Sequence, residues 1–230
     1  MRYLIIDGQN NHDWELTTPL LQTTLEMTGG RVSVLTAPRR GAPAEAWDSF
    51  DPRFPHFDVV ISNYTDIMGG TAWPTAVLDQ LCDWVISGGG FVSYHAAASA
   101  FLEHGGFWEI IGMGWREKGG HGKFGPFSVN VTELGSRHPI TQAVAPGFEH
   151  AADEMWYGMT GPATEGKVSV EVLATARSPE TLRDEPMIWT TRPGSGRCFV
   201  TVLGHDQTAL ASEGFNLTFV NGCQWASRNN

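Results

Sequence analysis

The chain has little cysteine. Cys82, Cys198 and Cys223 are its only three, far apart and in apolar contexts. That excludes a disulfide framework and any CxxC redox or metal motif, and predicts buried free thiols in a reducing compartment. Positive charge is scarce as well: 15 Lys and Arg stand against 25 Asp and Glu, a net charge of −10. Lys123 lies among glycines and aromatics rather than in a basic stripe. Such a surface repels phosphate backbones, so nucleic acid is not an expected partner. No segment approaches the ~20 apolar residues of a membrane span. The first residues also lack the basic start and long apolar core of a signal peptide. The expected location is the cytoplasm, with no membrane partner. Gly88-Gly89-Gly90 is followed by no Lys-Ser/Thr and reads as a helix stop, so no nucleotide cofactor is expected. There is no HxxxH or HxH spacing, no repeat, no low-complexity tract and no visible linker. A single domain over residues 1–230 follows, and a hydrophobic content of 41% suffices for a sizeable core.

What the chain does have is a set of short apolar runs that end in polar clusters. Tyr3–Ile6 leads into Asp7-Gly8-Gln9-Asn10-Asn11-His12-Asp13-Trp14. Asp58–Ile61 leads into Ser62-Asn63-Tyr64, Phe91–Ser93 into Tyr94-His95, and Cys198–Leu203 into Gly204-His205-Asp206. As parallel strands of one sheet, these runs would bring their four clusters to one crevice at the strands' carboxyl ends. A helix is predicted from Thr17 or Thr18, before Pro19, to about Met27. Another is predicted over Pro74–Ile86, where Val77, Leu78, Leu81, Val85 and Ile86 recur at helical spacing. A last one covers Phe215–Trp225. Strand and helix alternate, as in right-handed βαβ units. Ala37–Pro55 reads as a long loop with little order of its own. Residues 105–126, rich in glycine and aromatics, read as an insertion over the ligand edge. Phe127–Thr132, Val168–Ala174 and Met187–Trp189 read as an antiparallel extension of the sheet, and Cys198–Leu203 as a central strand.

The Asp7–Trp14 and Gly88–Ala97 segments resemble signatures of ThuA-like (trehalose-utilisation) proteins. Further elements follow in family order: Gly112–Trp115, Gly120-His121-Gly122, His138–Thr141, Asp153–Tyr157, Glu185–Trp189 and Gly196-Arg197…Gly204-His205. The resemblance covers nearly the whole chain. It implies a flavodoxin-like, class I glutamine amidotransferase-like three-layer sandwich with a mainly parallel central sheet and an antiparallel extension. It also implies disaccharide catabolism through 3-keto sugars. Amidotransferases of this class carry a nucleophilic cysteine after the strand equivalent to Phe91–Ser93. Here that position falls at or beside His95, and imidazole does not replace the thiolate, which disfavours a glutaminase.

His95 and His205 are the first candidates for proton abstraction, with Asp206 to orient His205 and Glu154 as a further base or metal ligand. Against these stand a core histidine for His95, a helix cap for Asp206 and a salt bridge to Arg116 or Arg137 for Glu154. Asn10, Asn11, Tyr64, Tyr94, Trp115 and Tyr157 are candidates to bind sugar. Trp14, Trp156 and Trp189 are further flat faces for a pyranose. His12, His95, His121 and His205 could hold zinc or manganese if the fold gathers them. His138 reads as a turn residue, and His56, His104 and His150 as surface or structural. The expected function is an enzyme acting on a keto-glycoside or related sugar by lyase-, hydratase- or isomerase-type proton abstraction. A metal-dependent hydrolase and a non-catalytic sugar-binding module are the alternatives. The partner expected is a small sugar, and a homo-oligomer stays open.

Overall fold

The computed structural model describes residues 1–227. In chain order the strands and helices are β1 (Arg2–Gly8), α1 (Trp14–Glu26), β2 (Arg31–Thr36), β3 (Val59–Tyr64), α2 (Thr75–Ile86), β4 (Gly90–Tyr94), α3 (Gly105–Ile111), β5 (Gly120–His121), β6 (Gly125–Val131), β7 (Gly147–Asp153), β8 (Trp156–Tyr157), β9 (Glu171–Arg177), β10 (Asp184–Thr191), β11 (Arg197–Thr201), α4 (Gln207–Leu210) and α5 (Glu213–Ala226). Nine strands form one sheet in the order β2-β1-β3-β4-β11-β10-β9-β6-β7. From β2 to β11 neighbours pair in parallel, and from β11 to β7 they pair antiparallel. This is an α/β fold with a parallel core and an antiparallel extension. β5 and β8 form a separate two-stranded flap.

The parallel half follows from its composition. β1, β3, β4 and β11 are short, apolar and buried along nearly their whole length, as strands covered on both faces must be. The β1-α1-β2 unit steps one way along the sheet and β3-α2-β4 the other. Right-handed crossovers therefore place α1 and α2 on opposite faces. Each fully buried Leu, Ile, Val or Phe contributes about 1.5–3 kcal/mol to this arrangement. The strand ends are level: Asp7 pairs with Thr36 and Asn63, Ser62 with Ser93, and Thr201 with Tyr94. The segments after β1, β3, β4 and β11 consequently share one rim. The chain order reverses between β1 and β3, which opens a crevice there.

Several expected boundaries move. α1 starts at Trp14, not at Thr17 or Thr18, and Pro19 lies inside it. The 37–55 loop has order of its own: short 3₁₀ turns at Ala44–Ser49 and Phe54–His56, with Phe50 and Phe54 buried. The strand expected at Val168–Ala174 lies three residues later, because the turns before it run through Pro162 and Lys167. The supposed insertion is only half one. Its first part is α3, whose Phe107, Trp108, Ile110 and Ile111 are core residues. Only the stretch after α3 crosses the rim. It is anchored where Gly114 bonds to Thr160 and Trp115 to the Ala98 carbonyl. A Cβ on Gly114 would come within 1.9 Å of that carbonyl oxygen, so glycine alone fits. No helix among the described residues is long and apolar enough to cross a membrane.

Candidate functional site

Three imidazoles converge at the rim. His12 comes from the loop after β1, His95 from the first position after β4, and His205 from the turn after β11. The ring of His12 lies 4.6 Å from that of His95 and 4.4 Å from that of His205, centroid to centroid, and His95 lies 5.5 Å from His205. Glu154, just past β7, reaches into the same space. Its Oε2 lies 3.4 Å from His205 Nδ1 and 3.7 Å from His12 Nε2, and its Oε1 lies 3.8 Å from His121 Nε2. Glu154 thus makes neither expected salt bridge: Arg116 lies over Trp108, and Arg137 pairs with Glu133.

The backbone is shaped for this. His95 has a left-handed φ of +46°, a conformation uncommon for a residue with a side chain, and the small Ala96, Ala97 and Ala98 behind it are fully buried. Gly204, before His205, has φ +108°, and a Cβ there would lie 2.5 Å from the Tyr94 ring. Gly204→Ala should therefore cost about 2–4 kcal/mol of stability through combined strain and overpacking, measurable by denaturant unfolding.

Hydrogen bonds fix how the rings face. His95 Nδ1 lies 2.7 Å from the Val202 carbonyl, which can only accept, so Nδ1–H donates and Nε2 presents its lone pair to the cluster. His12 Nδ1 likewise donates to Asn10 Oδ1 at 3.0 Å. Asn10 in turn donates to Asn63 Oδ1, and Asn63 donates to Thr17 and Thr18. This assigns the amide orientations from the network. His121 Nδ1 donates to the Gly122 carbonyl at 2.8 Å. Histidines held this way through one nitrogen, with the other free, are the usual arrangement around a metal ion.

Two of the inward nitrogens, His95 Nε2 and His205 Nδ1, are buried without a hydrogen-bond partner. One ligand atom each from His12, His95, His205 and Glu154 lies within 4.8 Å of the other three. A tetrahedral zinc at ~2.1 Å from its ligands would set those atoms about 3.4 Å apart, so modest drawing-in would close the shell. Burial pushes the His95 imidazole down to about 3, and His12 beside it adds to the effect. Burial would lift the Glu154 carboxyl, but the imidazoles of His12, His205 and His95 around it outweigh that and hold the group well below the ordinary carboxylate range. Burial also opposes charging His205, yet Glu154 raises its imidazole above the usual value.

The remaining candidates divide. His121 is not one of the four gathered ligands; it sits half-exposed on the flap against the outer oxygen of Glu154. Trp115 packs on Trp156 (4.9 Å) and His121 (5.7 Å), and Trp156 packs on His95 (5.1 Å), forming an aromatic wall. Tyr157 is half-buried against Gly120 of the flap. Asn10 is spent on orienting His12, and Asn11 is exposed. Tyr64 and Tyr94 do not serve as sugar contacts. Both are buried, with their hydroxyls donated to the carbonyls of Thr71 and Gly204, because as strand residues they stand off a sheet that is covered on both faces. Trp189 is core as well, bonded to the Ile111 carbonyl. Asp206 does not orient His205. Its Oδ1 accepts the amides of Thr208 and Ala209 and caps α4. Asp206→Ala should cost about 1 kcal/mol in chemical unfolding and leave the site's ligand binding unchanged.

One pair escaped the sequence reading. His150 and Asp153 of β7 are completely buried side by side at 2.7 Å, directly behind Glu154. His150 is structural rather than a surface residue, and so is His138, buried against Trp225. His104 caps α3 through its imidazole.

The family model for ThuA, trehalose utilisation, matches residues 4–226. A ThuA-like protein from Parabacteroides merdae is similar at 27% identity and a TM-score of 0.88, over 100% of this chain and 91% of that one. A cytoplasmic protein from Salmonella typhimurium LT2 is similar at 13% identity and a TM-score of 0.66, over 99% and 100% of the two chains. A cold-adapted β-galactosidase from Rahnella sp. R3 aligns over 96% of this chain but 30% of its own, at 16% identity and a TM-score of 0.55, a likeness of fold alone. No curated protein sequence matches. With its whole length between residues 4 and 226 matched, the chain belongs to the ThuA family, whose trehalose-utilisation role lies in carbohydrate metabolism.

Proposed function

We propose that His12, His95, His205 and Glu154 hold one divalent cation, zinc or manganese, and that the loaded centre processes a keto-glycoside or related sugar. The observation that carries this reading is a carboxylate facing inward imidazole nitrogens at 3.4–3.7 Å. These separations exceed the 2.7–2.9 Å of a direct charge-assisted hydrogen bond and suit groups that share an ion between them. The donor set of three imidazoles and one carboxylate fits both metals. When bound, the cation would supply Lewis-acid polarisation of a substrate carbonyl.

The chain's own residues do the rest. His95 is sealed from solvent and serves as a ligand rather than a proton shuttle. His121 is half-exposed, and its free Nε2 faces the outer oxygen of Glu154. It is the group placed to remove a proton from the carbon beside a sugar ketone, with the outer oxygen of Glu154 to stabilise the imidazolium that forms. Trp115 and Trp156 offer apolar faces to a pyranose ring, with Asn11 and Tyr157 near the mouth for its hydroxyls. The strand order β2-β1-β3-β4, with the site at the carboxyl ends, supports a flavodoxin-like, class I amidotransferase-like ancestry whose nucleophile has been replaced by His95. A cytoplasmic location accords with this catabolic role.

The test is an assay of the metal-loaded chain on a panel of 3-keto-glycosides and on the same glycosides unoxidised. Turnover of the keto forms only, abolished by a chelator, is the expected outcome. Turnover of the unoxidised forms would make the protein a metal-dependent hydrolase on the same centre. Binding of ordinary sugars without any reaction would leave a sugar-binding module.

A further inference from the structure

We infer that Asp153, backed by His150, is the positioning residue that locks the two halves of the site together. The inference rests on the site just described and names what holds its ligands in place. His12, His95 and His205 come from the parallel half of the sheet, whereas Glu154 comes from β7, the far edge of the antiparallel extension. No strand pairing joins β7 to β11. The Asp153 side chain does so instead. Its Oδ1 accepts the backbone N–H of Glu154 at 2.7 Å and that of His205 at 3.3 Å. Its Oδ2 accepts the N–H of Gly204 at 2.7 Å and His150 Nε2 at 2.7 Å. One carboxyl group, with no exposed surface, thus fixes the backbone of both Glu154 and His205.

The supporting histidine is sealed in as well. The His150 ring is packed by Phe127, Phe148 and Phe215, and its Nδ1 has no partner. Its bond to Asp153 is therefore the one polar contact that its position satisfies. Asp153 has four donors to accommodate, and an acid with two acceptor oxygens is the side chain that does this. An asparagine keeps one oxygen and sets an NH₂ against either the Gly204 and His150 donors or the Glu154 and His205 donors. The turn carrying one ligand must then shift away from the other.

The experiment uses the full chain freed of metal and titrated with Co²⁺ alone, whose visible absorption reports the ligand geometry. Wild type, Asp153→Asn, His150→Phe and His150→Gln are compared, with circular dichroism and metal-free melting to establish folding. Asp153→Asn is expected to remain folded, to lose about 10–100-fold in Co²⁺ affinity, the range for residues that support metal ligands, and to alter the absorption spectrum. His150→Phe should lose less, and His150→Gln, which restores a donor, should recover part of that loss. A folded Asp153→Asn with wild-type affinity and spectrum would overturn the inference. If Asp153→Asn does not fold, the His150 pair decides: equal affinity in wild type, His150→Phe and His150→Gln would overturn it. If wild type binds no Co²⁺, the metal reading fails, and positioning is read from the imidazole NMR resonances of His205 in the metal-free chain. A displaced His205 signal in Asp153→Asn, or in His150→Phe where the former does not fold, supports the inference, and an unmoved one refutes it.

Discussion

Glu154→Gln should abolish metal-dependent stabilisation of the chain. Glutamine has nearly the shape of glutamate, and its amide oxygen can still accept the Trp156 Nε1–H that donates to Glu154 Oε2 at 3.4 Å. What disappears is the only carboxylate among the four gathered ligands and the negative charge that a divalent cation needs among neutral imidazoles. An ion that binds only the folded state stabilises by about 2.7 kcal/mol at a free concentration a hundred times its dissociation constant. For a chain of this size that corresponds to a melting temperature raised by roughly 5–10 °C. Wild type should show this rise on adding zinc or manganese, and Glu154→Gln should show almost none at the same concentration. Differential scanning fluorimetry with and without metal checks it. An equal rise in both proteins would show that the ion binds elsewhere.

The second large effect concerns the flap. His121→Gln should lower kcat about 10²–10⁴-fold, the usual contribution of a positioned general base, with metal content unchanged. The separation follows from geometry. His121 faces the outer oxygen of Glu154 rather than the gathered ligand atoms, and it is more exposed than His12, His95 or His205. His95→Gln should do the opposite and lose metal first, because its buried Nε2 points into the cluster. Metal analysis and steady-state kinetics on the two variants distinguish the roles. Loss of metal in His121→Gln would place that residue in the coordination shell instead.

Much of this centre was legible in the sequence because strand ends are legible. A short apolar run with no helical spacing marks a buried strand, and the polar residue that breaks it marks the rim. His12, His95 and His205 are found that way. Glu154 is visible as a paired acid near aromatics. The limits have physical causes too. Tyr64 and Tyr94 are the last residues of β3 and β4, so their side chains stand off the sheet into its covering layers, whereas His95 follows β4 and turns to the rim. Asp206 adjoins His205 in sequence, yet at a helix start its side chain is drawn to the amides of Thr208 and Ala209. β7, with the sequence Gly-Phe-Glu-His-Ala-Ala-Asp, has no clean two-residue period because its buried positions are polar. The pairing of His150 with Asp153 was hidden for that reason. α3 was masked by the glycines at its start, although Phe107, Trp108, Ile110 and Ile111 follow helical spacing.

Metal content measured by elemental analysis tests the centre most directly. The protein would be purified without added metal or chelator, beside a His12→Ala/His95→Ala double variant. About one zinc or manganese ion per wild-type chain is expected and nearly none in the double variant, since two of four ligands are gone. A metal-free wild type that also takes up neither ion on titration, or a double variant that keeps the full complement, would contradict that expectation.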